Sequence, residues 1–323
     1  MDVTFTDQQR ELRRTVRELL DKNAATDAPA LWALLCDQVG VAGLALAEEH
    51  GGAGATWVDL GIALEETGRA LLAASLLTTT VAAAALEAAG DVALLPGLAA
   101  GTTLAALGVS DTAEDVLVSC GDVADVIVLA TESGLRRAPA AEVVRESVVT
   151  LDQSRGAALV DGAASAWEQV GGADDAARAV DLLRVAIAIE SAGAARRCLE
   201  LTVDYLKTRV QFGVPIGTFQ ALQHRAADLA VQVEAATSTA YYAAWAAADA
   251  PEELPLVAPL AKATCCTAFL AVAGETIQMH GGIGFTWEHA AHRYFKRAKA
   301  NDLALGGPSA ARRLVATRSG LLR

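Results

Sequence analysis

Three long segments with helical periodicity fill the second half of the chain and limit what it can fold into. From Ala177 to Thr208, apolar side chains recur at three- and four-residue steps, which predicts a helix about 48 Å long at ~1.5 Å per residue. The same pattern predicts helices from Phe219 to about Ala248 and from about Leu256 to His280, where Gly281-Gly282 is a typical helix stop. Long helices joined by short loops pack as an up-down bundle.

Alanine supports this interpretation. It supplies 72 of the 323 residues, while proline supplies 8. Because alanine loses no side-chain entropy in a helix and lets helices approach closely, this composition favours packed helices and excludes an all-β fold. The length suffices for about two domains of ~150 residues each.

The first part of the chain has shorter helical segments, separated at Gly51-Gly52, Gly68 and Gly90. Further on, β-branched runs bounded by glycine, aspartate and serine predict strands. These runs are Val116–Val118, Val126–Leu129 and Val148–Leu151. We therefore expect an N-terminal helical domain over residues 1–103, a small β domain over 104–172 and a helical bundle over 173–323.

The net charge of −13 is unevenly spread along the chain. Residues 1–100 and 101–200 each carry −8, whereas residues 201–323 carry +3. A mainly acidic chain lacks the basic footprint that nucleic-acid binding needs, so we expect no nucleic-acid partner. An anionic ligand is expected on the last third.

Cysteine usage and hydropathy predict a cytoplasmic protein. The five cysteines are odd in number and show no CxxC spacing, so neither disulfides nor structural zinc are expected. The uncharged stretches Ala70–Leu86 and Val92–Ser110 are too short or too interrupted to span a membrane. The N-terminus shows no basic region followed by an apolar signal core, so we expect no signal peptide and no membrane association.

Two groups of potential metal or redox ligands are better explained as structural. His280, Glu288, His289 and His292 match no HExxH pattern, and a glycine-rich bend separates the first from the rest, so we expect no metal site. Cys265-Cys266 lies inside an apolar helix, where consecutive side chains point to different sides, which indicates buried thiols.

Two loops between the long helices carry more specific chemistry. Arg209–Ile216 combines a guanidinium, an amide, an aromatic ring and a Gly/Pro turn, the groups that hold a phosphate and cover a flat ring. An equally acceptable interpretation is a helix–helix turn in which Arg209 caps carbonyl groups. Gln278–Gly284 is a glycine-rich bend where backbone can approach a ligand closely.

Together these loops resemble the two signature regions of acyl-CoA dehydrogenases, at the spacing of that family. The first is RVQFGVPIGTFQ from Arg209, followed by His224 and Asp228, and the second is QMHGGIGFTWEH from Gln278. The resemblance extends to Leu44–Arg69, and to Ala124–Ala130 with Asp152 and Arg155, and so covers nearly the whole chain.

The resemblance implies a mainly α fold with an N-terminal helical domain, a middle β domain and a C-terminal four-helix bundle. It also implies FAD at a subunit interface, with both motifs reaching the ADP part of a flavin held mainly by the neighbouring subunit. The residues that take over this role here are Arg209, Gln211, Phe212, Gln220, Gln278, Gly281 and Gly282. The basic cluster Arg293, Lys296, Arg297 and Lys299 is expected on a solvated helix face instead.

The sequence departs from the family where the chemistry takes place. The family removes the α proton of an acyl-CoA thioester with a glutamate while a hydride passes to the flavin. The two positions that hold this glutamate in the family are occupied here by Leu305 and Leu183. The family's ring-binding segment has no counterpart between Leu104 and Asp125, and the β domain has only ~70 residues where ~110 are usual.

We therefore expect no catalytic residue in this chain. It resembles the short, non-catalytic subunit of heteromeric α2β2 acyl-CoA dehydrogenases of actinobacterial steroid degradation, which share FAD with a homologous partner that holds most of the acyl-CoA. One alternative is a self-sufficient dehydrogenase whose base is Glu190, Glu288 or Asp302. The other is a flavin-free scaffold or interaction protein of the same fold.

Overall fold

A computed structural model describes residues 4–72, 75–110, 115–163 and 165–322. Its helices are α1 (Asp7–Lys22), α2 (Ala28–Val39), α3 (Trp57–Arg69), α4 (Leu76–Ala88), α5 (Leu95–Ala99), α6 (Ala173–Thr208), α7 (Gln220–Asp249), α8 (Leu254–His280), α9 (Ala291–Leu303) and α10 (Gly307–Arg318). Its strands are β1 (Ala105–Val109), β2 (Val116–Ser119), β3 (Val126–Thr131), β4 (Gly134–Pro139), β5 (Arg145–Ser147), β6 (Ala157–Val160), β7 (Glu168–Gly171), β8 (Val210–Gln211) and β9 (Val214–Pro215). The fold is therefore mainly α with a small β module, as predicted.

The three long helices predicted in the second half are confirmed as α6, α7 and α8. Helix α6 begins at Ala173, four residues earlier than predicted, because the carboxylate of Asp175 accepts the N–H of Gly172 at 2.8 Å and closes the first turn. Both α7 and α10 pack on α8, and α9, which follows the glycine-rich end of α8 in the chain, packs back along α8. The bundle therefore places the two signature loops at one end of α6 and α8.

Helices α3 and α6 cross in direct backbone contact at two glycines. A Cβ atom on Gly68 would lie 2.1 Å from the carbonyl oxygen of Glu190, and one on Gly193 would lie 2.0 Å from that of Glu65. Gly68 is the second-last residue of α3, which ends at Arg69, so the helix break predicted at this glycine is confirmed one residue later. Close approach of two backbones, and not a turn, accounts for this glycine.

The β module consists of two small sheets between α5 and α6. One has the strand order β1-β3-β4-β7, with β1 and β3 parallel, and the other is the antiparallel sheet β2-β6-β5. Two predicted strands are confirmed as β2 and β3. The boundaries predicted for the three domains stay predictions.

The third predicted strand, Val148–Leu151, was wrong. The edge strand β5 ends at Ser147, before the β-branched run begins. Val149 is 90% exposed and Leu151 is 53% exposed, so this run has no buried face to pack against. The chain leaves the sheet here and turns inward at Asp152.

One helical segment among the described residues, Leu254–Phe285, is long and apolar enough to cross a membrane by length and composition alone. Of its most apolar window, 67% is buried inside the protein. This segment is therefore accounted for as the central helix of the bundle.

Candidate functional site

The first signature loop forms a tight hairpin after α6. Strands β8 and β9 pair Val210 with Pro215 and Gln211 with Val214. The two turn residues both have left-handed backbone, with φ of 52° at Phe212 and 81° at Gly213. This is the pattern of a two-residue type I′ turn, in which glycine, asparagine and aspartate are the usual residues.

The second signature loop begins where α8 ends. Gly281 has φ of 63° and lies at the C-terminal cap of α8, after which Gly281–Phe285 forms a short 3-10 helix. His280 is the last residue of α8 and is only 3% exposed. The loop therefore turns sharply away from the helix and leaves its backbone accessible beside the first loop.

The two loops line a pocket of about 530 Å³ that is open to solvent. This size is typical of small-molecule sites. It is lined by Tyr205, Arg209, Gln211, Ile216, Gln278, Met279, His280, Gly281, Gly282 and Ile283. Residues distant in sequence thus meet at one site, and five of the seven cofactor-binding residues predicted from the sequence line it.

The other two predicted residues lie outside the pocket lining. Phe212 is at the tip of the hairpin, 92% exposed, and its ring meets that of Phe219 edge-on with 6.0 Å between the centroids. Gln220 is the first residue of α7 and is exposed. A role for these two side chains needs a ligand or a partner that extends beyond the pocket.

Arg209 provides the positive charge of the pocket. It ends α6 through its backbone N–H, which donates to the carbonyl of Tyr205 at 2.8 Å. Within the described residues its guanidinium has no hydrogen-bond or ion-pair partner, so the alternative in which this side chain caps carbonyl groups is not supported. A free guanidinium at the mouth of a pocket is suited to a phosphate or a carboxylate.

Gly282 is a glycine that the fold of this chain does not itself require. Its φ is not positive, and a Cβ atom placed on it would meet nothing within 4 Å. By contrast, a Cβ atom on Gly284 would lie 2.8 Å from the carbonyl oxygen of Ile277. The open space at Gly282 lies in the pocket and fits a ligand that approaches the backbone closely.

Three rings in contact form a group at the pocket that the sequence analysis did not identify, and two of them, Tyr205 and His280, line the pocket. The ring of Tyr205 stacks on that of His280 with 4.4 Å between centroids, and the ring of His289 lies 4.3 Å from that of His280. His280 Nδ1 lies 2.7 Å from the carbonyl oxygen of Thr276, so Nδ1 carries the proton. Burial, and then the neighbouring His280, lower the pKa of His289. The spacing of Tyr205, one helical turn before Arg209, was the available sequence signal.

The three histidines do not converge with Glu288 into a metal-binding group. No set of three His, Cys, Asp or Glu side chains that could hold a metal ion occurs within the described residues. His292 instead lies against Trp287, with 4.8 Å between the ring centroids. All five cysteines are free, and Cys265 and Cys266 are buried, as predicted.

Leu183 and Leu305, which the sequence resemblance puts at the glutamate positions, are packed in apolar surroundings. Leu183 is 7% exposed and belongs to the large core cluster, against which Leu305 also packs. Leu305 has φ of 55°, and the next two residues, Gly306 and Gly307, also have positive φ. Neither leucine can accept a proton, so these positions contribute no base.

Arg297 does not lie on a solvated helix face, and that prediction was wrong. Its side chain is fully buried and donates to the carboxylates of Asp152 and Glu190, the latter at 3.0 Å. It also donates to the hydroxyl oxygen of Ser154 at 2.8 Å. Of the other cationic residues in the cluster, Arg293 is exposed, Lys296 is half-buried, and Lys299 pairs with Asp302 at 3.0 Å.

Arg155 and Asn301 complete this buried network between the β module and the bundle. Arg155 donates to Glu190 at 2.7 Å, and the amide of Asn301 donates to the same carboxylate oxygen at 3.0 Å. Burial raises the pKa of Glu190, but the charges of Arg155 and Arg297 outweigh it and hold the pKa below its ordinary value. Glu190 is therefore held as an ion-paired anion and is not available as a base.

The same junction leaves little free volume. A cavity of about 10 Å³, lined by Arg155, Glu190 and Cys120 together with residues of α3, α4 and the segment between them, adjoins the network. This is room for one water molecule. The junction of the β module with the helices has no space at this cavity for an acyl chain.

Comparison with known protein families gives two matches. Residues 6–102 match the N-terminal domain of acyl-CoA dehydrogenases, and residues 171–320 match the C-terminal domain. Acyl-CoA dehydrogenase IpdE2 of Mycobacterium tuberculosis is 40% identical over 322 residues, covering 95% of this chain and 95% of that protein. Its counterpart in Mycolicibacterium smegmatis is 38% identical over 318 residues, which cover 94% of this chain and 96% of that protein.

Solved structures resemble the chain over its full length. One chain of the ChsE4-ChsE5 complex from Mycobacterium tuberculosis superposes with a TM-score of 0.86 at 26% identity, covering 100% of both chains. A chain of the Tcur3481-Tcur3483 steroid ACAD superposes with the same TM-score of 0.86 at 28% identity, covering 98% of both chains. Both structures bear the names of two different gene products.

Proposed function

The chain belongs to the acyl-CoA dehydrogenase family, and we propose that it is the non-catalytic subunit of a heteromeric, FAD-dependent member. The observation that carries the proposal is that one chain has an assembled pocket but no base. The pocket of Arg209, Gln278 and Gly282 is assembled, whereas leucine occupies both positions where the sequence resemblance puts the family's base. A chain that keeps a cofactor pocket but lacks the base fits an enzyme whose chemistry is completed by another subunit.

The pocket residues suit the ADP part of FAD. The Arg209 guanidinium is placed to pair with the pyrophosphate, and the amides of Gln211 and Gln278 offer donors and acceptors for polar ribose and adenine groups. The open backbone at Gly281 and Gly282 lets a ligand lie directly on the chain. FAD, when bound, supplies the hydride acceptor for α,β-dehydrogenation of an acyl-CoA thioester.

The rest of the flavin and most of the substrate belong to a homologous partner subunit in this proposal, within an α2β2 heterotetramer. The two-chain relatives named for ChsE4-ChsE5 and for a steroid ACAD support this assembly and suggest a steroid-derived acyl-CoA as substrate. The small cavity at the β-module junction supports placing the acyl chain on the partner. Five free cysteines support a cytoplasmic location.

No observation favours a self-sufficient enzyme with a relocated base. Glu190 is tied to two guanidinium groups, and Asp302 is 8% exposed and paired with Lys299. Glu288 is exposed on the second loop, beyond the residues that line the pocket.

The test is expression of the chain alone and together with a homologous acyl-CoA dehydrogenase subunit that carries the family's glutamate. We expect a colourless, inactive chain on its own, and a yellow complex with one flavin per two chains that oxidises acyl-CoA. An isolated chain that is yellow and oxidises acyl-CoA would contradict the proposal.

A pair of matched arginine variants tests the pocket itself. Arg209→Gln removes the charge at the pocket and is expected to lower the flavin content of the complex at least tenfold at limiting FAD. Arg313→Gln, an exposed arginine of α10, is the control and is expected to leave it unchanged. Equal flavin content in the complexes of the two variants would show that the pocket does not bind FAD.

A further inference from the structure

Exposed apolar side chains crowd the two loops that line the pocket. The described residues contain nineteen large apolar side chains that are exposed, and seven of them lie on these loops. The seven are Val210, Phe212, Val214, Phe219, Ile283, Phe285 and Trp287. All four phenylalanine and tryptophan side chains among the nineteen are in this group. Clustered exposed apolar groups of this kind mark a protein-binding surface.

Trp287 is the largest of these side chains and is held in place while exposed. It is 80% exposed, yet the ammonium of Lys296 lies 4.5 Å from the indole centroid and the ring of His292 meets it edge-on at 4.8 Å. Both neighbours come from α9. A tryptophan fixed before binding loses little conformational freedom when a partner covers it, which is typical of an interface anchor.

The charge around Trp287 is positive, although the chain as a whole carries −13. Arg293 is exposed and Lys296 half-buried, three residues apart on α9, and Glu288 is the nearby acid on the loop. Burial, and then the Lys296 charge, lower the pKa of His292. We define the Trp287 patch as Phe285, Trp287, His292, Arg293 and Lys296. It combines three aromatic rings, one of them an imidazole, with two fixed positive charges.

The charges decide against a second copy of this chain as the occupant. A two-fold symmetric dimer through the Trp287 patch would bring Arg293 and Lys296 of both copies into one interface, four positive charges with the two Glu288 carboxylates as the nearby acids. Like charges facing each other in an interface disfavour association. The patch needs a different surface, one with an apolar slot bordered by carboxylates.

The Trp287 patch is continuous with the pocket, and this position indicates which partner surface covers it. Gly281 and Ile283 line the pocket, and Phe285 and Trp287 follow on the same loop. We infer that the Trp287 patch is the anchor through which the partner dehydrogenase subunit docks beside the pocket, with Trp287 in an apolar slot and Lys296 and Arg293 facing partner carboxylates. This inference rests on the proposed function, because the same partner brings the flavin.

The experiment measures association of the purified chain with the homologous acyl-CoA dehydrogenase subunit that gives it flavin on co-expression, by calorimetry at low and high salt. We expect Trp287→Ala to weaken association at least tenfold at both salt concentrations. Lys296→Gln is expected to weaken it severalfold at low salt and less at high salt, because the lost interaction is charged. Val149→Ala, on an exposed apolar residue of the β module, is the control and is expected to bind as the wild type does.

Each outcome separates this inference from the proposed function. Thermal melting of the isolated variants checks that these exposed substitutions leave the fold intact. If the wild-type chain binds the subunit and gains flavin but Trp287→Ala binds equally well, the inference is wrong and the proposed function stands. If the wild type neither binds nor gains flavin, both are wrong. If the chain pairs with itself, and Trp287→Ala abolishes this, the occupant is a second copy and the inference is wrong.

Discussion

Phe212 combines two unfavourable features at one residue, an exposed aromatic ring and a left-handed backbone. The left-handed conformation costs a residue with a Cβ about 1–2 kcal/mol, and the position belongs to a turn that favours asparagine followed by glycine. Nothing within the described residues repays this cost, since the ring has only an edge-on contact with Phe219. The arrangement indicates a contact made outside the chain.

Phe212→Asn is therefore expected to stabilise the isolated chain and to weaken the complex. The free energy of unfolding of the chain alone should rise by about 0.5–1 kcal/mol, because Asn-Gly suits the turn. The flavin content of the complex should fall. Urea denaturation and flavin absorbance measure the two effects. Phe219→Asn is the control, since its φ of −78° leaves no backbone strain to relieve. A stabilised variant with full flavin content would show that the ring has no role at the interface.

Leu305→Glu is expected to give no acyl-CoA oxidation in the isolated chain. The side chain at this position packs against the core cluster, so a carboxylate there loses hydration, at a cost of about 1–3 kcal/mol in the free energy of unfolding. Chemical denaturation and an acyl-CoA oxidation assay test both parts, with Leu305→Gln as the uncharged control. If the glutamate variant is active alone, the absent base was the chain's only defect, and the truncated ring-binding site was misjudged.

At the scale of the elements, the buried network connects parts of the chain that the sequence places far apart. Asp152 and Arg155 come from the β module, Glu190 from α6, and Arg297 and Asn301 from α9. Because four carboxylate–guanidinium pairs meet in buried surroundings, removing one partner leaves an uncompensated charge. The network therefore holds the β module against the bundle.

Arg297→Met tests this role. We expect it to lower the free energy of unfolding by about 3–5 kcal/mol, since it leaves Asp152 and Glu190 buried with one guanidinium fewer. Arg293→Met removes an exposed arginine one turn earlier on α9 and is the matched control, expected within about 0.5 kcal/mol of wild type. Chemical denaturation followed by circular dichroism measures both. Equal stability of the two variants would mean that the network contributes nothing net.

The carboxylates of the network also predict a pH dependence. Burial raises the pKa of Asp152, but the Arg297 charge, the Ser154 hydroxyl and Arg155 hold it below its ordinary value. A carboxyl whose pKa is lower in the folded state adds stability above its unfolded pKa of about 4, and that stability is lost as the pH falls further towards the folded pKa. Asp152→Asn should therefore flatten the decline in the free energy of unfolding below about pH 4. If the free energy of unfolding declines equally with pH in the wild type and in Asp152→Asn, this prediction is wrong.

The elements that the sequence predicts well are those set by local periodicity and capping. Helices α6 to α8 follow from apolar steps of three and four residues, and α8 ends at the glycines that signal its end. The predictions that failed depended on distant contacts. Arg297 looks like a surface residue until Asp152 lies opposite it, and Val148–Leu151 looks like a strand although the fold gives it no buried face to pack against.

The same distinction applies to the candidate site. The motifs indicate Arg209 and Gln278, and the fold brings them to one pocket. The ring stack of Tyr205, His280 and His289 arises only when the end of α8 meets α6, so periodicity alone does not reveal it. Trp287 is likewise indicated by its exposure and its contact with Lys296, which the sequence does not contain.

At the scale of the whole molecule, a flavin shared between two chains must couple cofactor binding to assembly. If FAD contacts the Arg209 pocket and the partner at once, it strengthens association of the two chains by the same factor by which association strengthens FAD binding. In the proposed assembly this chain offers only the ADP side, through its open pocket and the exposed apolar side chains around it, so neither FAD binding nor association is complete without the other.

We therefore expect removal of FAD from the complex to weaken association of the two chains, and added FAD to restore it. Sedimentation of the two purified apo-chains with and without FAD gives the factor by which FAD strengthens association. FAD titration of the partner with and without this chain gives the factor by which association strengthens FAD binding. Arg209→Gln should reduce both factors together, because one contact contributes to both equilibria, whereas Arg313→Gln should change neither. Equal association with and without FAD would mean that the flavin lies wholly on one chain. The pocket of Arg209, Gln278 and Gly282 would then have to serve a different ligand.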